Sequence, residues 1–91
     1  MRFSFDAAKR VGNLKKHGFD LASAPQVMES GQTVTFEDRR FAYGEERFVT
    51  LGPLGETLAA RVTAETEDNI RIISMRKADR HEQALYRENS R

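Results

Sequence analysis

The stretch "TLAARVTAETEDNIRIISMR", residues 57–76, decides the fold because its apolar residues recur with a period of two. Leu58, Ala60, Val62 and Ala64 alternate with Thr57, Arg61, Thr63 and Glu65, so residues 57–65 read as a strand with one face inward and one outward. "NIRIISMR" (69–76) carries apolar residues on both faces, Ile70 and Ile72, then Ile73 and Met75, as a central strand requires. "TEDN" (66–69) is short and turn-like, which makes the two strands a hairpin. Upstream, "RFVTLG" (47–52) and "TVTF" (33–36) alternate in the same way, and "GPLG" (52–55) supplies another turn.

The flanks of this block are helical. Asp6 stands where an N-cap belongs, after the short strand "RFSF" (2–5) and ahead of "AAKRVGNLKKH". On that helix Ala7, Val11 and Leu14 form an apolar stripe, while Lys9, Asn13 and Lys16 cluster on the opposite side as a solvent-facing or ligand-facing patch. Gly18 supplies the left-handed residue that ends it. A second helix is expected within 21–30, capped by Ser23 in a Ser-x-x-Gln box, with Val27 and Met28 toward the core and Gly31 closing it. Asp79 and Glu82 in "DRHE" mark the start of a last helix, with Ala84 and Leu85 for burial. The order is β-α-α-β-β-β-β-α. It predicts a single α+β domain over 1–91, with an antiparallel sheet of four or five strands packed against two N-terminal helices and followed by a C-terminal helix.

Composition narrows the class. The 91 residues include no Cys, so disulfides and thiolate metal sites are excluded and a reducing, cytoplasmic setting is expected. Two separated histidines, His17 and His81, do not suggest a metal site, and no cofactor is implied. No run of ~18 apolar residues would span a membrane, and the first ten residues lack the apolar stretch of a secretory signal. The net charge of +1 hides a segregation. Residues 1–18 hold Arg2, Lys9, Arg10, Lys15 and Lys16 against Asp6; residues 71–91 hold six cations against three acids; the middle is strongly acidic. Chain ends brought together would form one basic face for a polyanion, whereas ends left apart would simply be solvated. "NLKKHG" (13–18) has the same double reading. Its cations suit the last turn of a helix, and they equally suit a phosphate.

Three segments together, "FSFDAAKRVGNLKKHG", "GEERFVTLG" and "IRIISMRKADRHEQALYRE", resemble the BrnT family of bacterial toxins. The family pattern runs F-x-W-D-x-x-K-x-x-x-N-x-x-K-H-G, then E-E-R-F, then R-I-I-S-A-R-x-A and a closing R-x-E-x-x-x-Y-E. Here Phe5 stands in place of Trp, Met75 in place of a small residue, and Arg87 where an acid is common. The resemblance implies a RelE-like fold and a ribonuclease that arrests translation. It also implies a BrnA-type ribbon-helix-helix antitoxin that neutralises the toxin in an oligomeric complex and mediates any contact with promoter DNA.

Metal-independent RNA cleavage needs a base for the 2′-hydroxyl, an acid for the leaving 5′-oxygen and cations for the phosphate. His17 suits acid or base, or a helix cap alone. Glu46 suits a base and Arg47 a phosphate clamp, but their alternation on a strand puts them on opposite faces unless a bulge intervenes; an edge-strand charge pair is the other reading. Arg76 is the expected phosphate ligand, with Lys77 beside it. Lys9, Asn13 and Lys16 would contact RNA, and Tyr86 would stack on a base or pack on the sheet. The alternative from another class is a non-catalytic module that binds its antitoxin and tunes promoter occupancy.

Overall fold

A computed structural model describes residues 2–29, 32–39 and 44–89. The elements are β1 (Arg2–Phe5), α1 (Ala7–His17), a 3-10 turn (Leu21–Ser23), α2 (Ala24–Glu29), β2 (Val34–Glu37), β3 (Arg47–Leu54), β4 (Thr57–Glu65), β5 (Asn69–Lys77) and α3 (Arg80–Asn89). The strands form one sheet in the order β1-β5-β4-β3-β2.

The meander from β2 to β5 is antiparallel, as the short links on either side of β4 demand for β3 to β5. β1 instead pairs parallel with β5, Arg2 opposite Asn69 through Phe5 opposite Ile72, so the sheet is mixed rather than antiparallel. No short link ties β1 to any other strand, and alternation reports faces, not neighbours. The β3–β4 turn is also tighter than expected. β3 runs through Pro53 to Leu54, and only Gly55 and Glu56 remain to reverse the chain, Gly55 at a φ of 64°.

Helices lie on both faces. The 3-10 turn and α2 bury Leu21, Ala24 and Val27 against Ala59, Ile70, Ile72 and Met75. The opposite face carries Val49, Leu51, Ala60 and Val62, covered by Ala78, Leu85 and Tyr86 from the α3 side. Each fully buried Leu, Ile, Val or Met contributes roughly 1.5–3 kcal/mol, so both layers are needed to hold the sheet. This corrects the outward face expected for β4, since Arg61 is 1% exposed and Thr63 fully buried. Arg61 donates from Nη1 to the Ala24 carbonyl at 3.2 Å and lies 5.6 Å from the Phe3 ring centroid. Burial pulls the Arg61 pKa down, with Glu65 opposing. Gly52 marks the closest packing of α2 on β3, because a Cβ there would stand 2.8 Å from Val27 Cγ1.

The caps follow the sequence at α1 and α3. Asp6 accepts from the Ala8 and Lys9 amides at 2.8 and 3.1 Å, and the Gly18 amide (φ 78°) donates to the Leu14 carbonyl. Asp79 and Glu82 exchange bonds, each side chain accepting from the other's amide at 2.8 and 2.9 Å. The second helix differs. Asp20, not Ser23, provides its cap by accepting from Ala22 N–H, and the 3-10 turn runs directly into α2. Val27 is buried as expected. The Met28 side chain and Gly31 lie outside the described residues.

Asp20 also ties this turn to α1 through Arg10, with Nε and Nη2 donating to its two carboxylate oxygens at 2.7 and 2.9 Å. The Arg10 hydrogen bond, then the Ala22 amide, holds the Asp20 carboxyl at about 2, below its ordinary 3.8. A depressed folded-state pKa gives stability present above the unfolded value and lost as pH falls through the folded one. The melting-temperature gap between wild type and Asp20→Asn is therefore expected to be constant above pH 5 and to close between about pH 4 and 2. Melts across that range check it, and a gap that stays open at pH 2 refutes the assignment.

Candidate functional site

Asn13 connects the two basic ends of the chain. β1 covers the outer edge of β5 only as far as Ile72, which leaves the main chain beyond without a strand partner. Asn13 takes that place, since its Oδ1 accepts from Met75 N–H at 3.1 Å and its Nδ2 donates to the Met75 carbonyl at 2.9 Å. The second Nδ2 proton goes to the Phe19 carbonyl at 2.9 Å. The side chain is 8% exposed. Asn13 therefore faces the sheet, a correction to the solvent-facing or ligand-facing patch read from the helical spacing, and its amide has no proton left for a ligand. The side-chain amide reproduces the pairing of a missing strand residue, which hydropathy spacing does not register.

Because α1 is pinned at Asn13, its last turn comes to the end of β5. Lys16 and His17 follow Asn13 by three and four residues, on the same side of the helix. Arg76 and Lys77 follow Met75 directly. Lys9, Lys16 and Lys77 are exposed and His17 half-buried, and among the described residues none of the four side chains has a hydrogen bond or ion pair. Arg76 differs. Register places it opposite Ala60, on the α3 face, where Nη1 and Nη2 donate to the two Glu82 oxygens at 2.6 and 2.9 Å. Glu82, 6% exposed, thus closes the α3 cap and holds Arg76 at once.

Glu46 and Arg47 stand elsewhere. Arg47 and Arg71 both register with Ala64, four residues along β4 from the Ala60 that faces Arg76, or about 13 Å at the rise of a strand. Glu45 bridges them, accepting from Arg71 Nη2 at 2.8 Å and from Arg47 Nε and Nη2 at 3.2 Å. Glu46 is exposed at the head of β3, where its charge acts on Arg39. The irregularity in the ladder lies in β5, at Ile73, and not beside Glu46. The structure therefore does not bring His17, Glu46, Arg47 and Arg76 into one cleft. Tyr86 packs on the α3-side core and donates its hydroxyl to the Gln32 carbonyl at 3.0 Å.

Sequence reasoning passed over Glu45, Arg71 and the Glu82–Arg76 pair. Glu82 had a visible signal, its cap spacing from Asp79, but that spacing says nothing of Arg76. It also passed over a cleft of about 420 Å³ between β2, β3 and the start of α3, floored by Phe36, Val49 and Leu85 and rimmed by His81 and Glu82. No group of three or more metal-ligating side chains is placed to hold an ion among the described residues. Among the described residues no helix is long and apolar enough to cross a membrane.

The fold is that of a small α+β protein whose mixed sheet is covered by helices on both faces, with basic segments from the two chain ends joined at one sheet edge. A family model described as ribonuclease toxin, BrnT, of type II toxin–antitoxin system matches residues 5–82. The chain belongs to that family. A search of curated proteins found no match.

Proposed function

We propose that this protein is a toxin that cleaves RNA internally, without a metal ion, at the sheet edge where α1 is pinned to β5, and so inhibits translation in the cytoplasm. The observation that carries the reading is the Asn13–Met75 clamp, which joins "NLKKHG" to "MRKADRHE" within the span of the family match. In this arrangement His17 transfers the proton. It takes the 2′-hydroxyl proton as that oxygen attacks phosphorus, the bond to the 5′-oxygen breaks, and a proton returns to the 5′-oxygen. The products are a 2′,3′-cyclic phosphate and a 5′-hydroxyl.

Lys16 and Lys77 stabilise the crowded phosphate, and Lys9 extends the cationic track along α1; Arg76, drawn to the α3 face by Glu82, braces the start of α3 instead. Arg47 and Arg71, on the α3 face, offer a second place for the backbone of a longer RNA, and Glu46 beside them is the alternative base. Asn13 and Tyr86 serve this site by holding α1 and α3 in place. His81 is left out of the chemistry because the family pattern leaves its position open. A ribbon-helix-helix antitoxin of the BrnA type neutralises the toxin in a hetero-oligomer and carries any promoter binding.

The test is cleavage of a defined RNA by purified protein in buffer with excess chelator. The expected result is a rate within about twofold of that in magnesium, with cyclic phosphate at the new 3′ end. Loss of cleavage in chelator, restored by one divalent ion, sinks the metal-independent route. Absence of cleavage under all conditions, with antitoxin binding intact, favours the non-catalytic module.

A further inference from the structure

The pin at Asn13 turns the apolar stripe of α1 away from the protein. At ~100° per residue, Ala7, Ala8 and Val11 fall within about 60° of the direction opposite Asn13, with Leu14 and Gly12 on the flanks. All five are exposed, Val11 by 55% and Leu14 by 51%. Ala8 and Gly12 stand four apart, and a Cβ on Gly12 would meet nothing within 4 Å. The result is a low apolar strip bordered by a ridge of Val11 and Leu14, a shape that admits the backbone of a second helix closely.

The α1 charge on the side of the strip is cationic. Lys9, Arg10, Lys15 and Lys16 belong to α1 and no acid does; Lys15 projects on the outward side, while Arg10 is taken by Asp20. A second copy of this chain would bring two helices of the same cationic sign together, which like-charge repulsion disfavours. RNA finds neither a ring to stack on nor a side-chain donor among Ala7, Ala8, Val11, Gly12 and Leu14.

We infer that the outward strip of α1 is the docking surface for an amphipathic helix of the antitoxin, apolar along its centre and acidic along its rim. This rests on the toxin–antitoxin reading above and names the chemistry of the partner's contact. The anchor lies on the side of α1 turned away from Asn13, so it grips the toxin beside Lys16 and His17 rather than through them. Apolar helix-in-groove contact supplies the affinity, and Lys15 selects for the acidic rim.

The experiment uses the protein encoded by the adjacent gene, purified as its complex and titrated onto this chain. Val11→Glu with Leu14→Glu is expected to weaken binding at least 100-fold, because two carboxylates enter the strip. Thermal stability and RNA cleavage by the free variant should stay at wild-type values, since both positions are exposed and outside the proposed site. Lys15→Glu is expected to weaken binding roughly 3–10-fold at low salt, with the difference shrinking as salt rises. Gly12→Ala, which adds one methyl, keeps binding within threefold. A folded double variant that binds as tightly as wild type overturns the docking surface. Wild-type dimerisation without partner, abolished by the double variant, also overturns it and assigns the strip to a second copy. A wild type that binds no adjacent-gene product refutes the toxin–antitoxin pairing itself.

Discussion

Asn13→Leu is expected to destabilise the protein by about 2–4 kcal/mol. The side chains are close in size, so the loss is one of hydrogen bonds and not of volume. Three bonds go at once, from Met75 N–H and to the carbonyls of Met75 and Phe19. Each buried backbone group left without a partner costs roughly 1–3 kcal/mol, and water reaching the sheet edge recovers part of that. Against a total stability of ~5–15 kcal/mol, this is a large share. Asn13→Asp is a sharper probe, because it keeps an acceptor for Met75 N–H but turns a carboxylate toward two carbonyls. It should be at least as damaging at pH 7, and less so at low pH where the carboxyl is protonated. Chemical denaturation of the three proteins checks both statements. If Asn13→Leu costs less than about 0.5 kcal/mol, α1 is held by something other than the clamp.

The same residue shows what was legible in the sequence. Strand positions were readable because period-two alternation and short turns are local: β4 falls on 57–65, β5 on 69–77 and β3 from Arg47. The caps at Asp6, Gly18 and Asp79 were readable for the same reason. The facing of α1 was not. Its hydropathy stripe predicts Ala7, Val11 and Leu14 inward, yet backbone groups left open on β5 draw Asn13 inward instead. A buried backbone pair without a partner costs more than exposing Val11 and Leu14, each worth roughly 1.5–3 kcal/mol when fully buried and both still partly covered here. Nor could spacing show that Arg61 and Thr63 would be covered, since that depends on helices 30 or more residues away packing on the second face. Of the candidate site, the segments were legible and their grouping was not. Arg76 finds Glu82, and Arg47 finds Glu45 and Arg71, through a register that only the assembled sheet defines.

His17→Gln is expected to lower RNA cleavage by roughly 10²–10⁴-fold while leaving the protein folded. His17 closes α1 beside Gly18, and Lys15, Lys16 and His17 all sit in the last turn, where a cation meets the partial negative charge of the final carbonyls. That capping role is worth about 0.3–1 kcal/mol, too little to unfold the domain or to account for more than a small change in rate. The two roles therefore separate by magnitude on one purified variant. Thermal melts report the cap, and single-turnover cleavage reports the chemistry. Lys16→Gln is the electrostatic control. It removes a charge from the same turn and should slow cleavage by no more than about tenfold, with weaker RNA binding and a shallower dependence on salt. A pH–rate profile adds a reading that capping does not affect, because the limb contributed by the proton-transferring group should vanish in His17→Gln. A folded His17→Gln protein that cleaves at the wild-type rate removes the imidazole from the mechanism. The base would then have to be sought at Glu46, beside Arg47 and about 13 Å along the sheet from Arg76, and the clamp between Asn13 and Met75 would be a feature of stability alone.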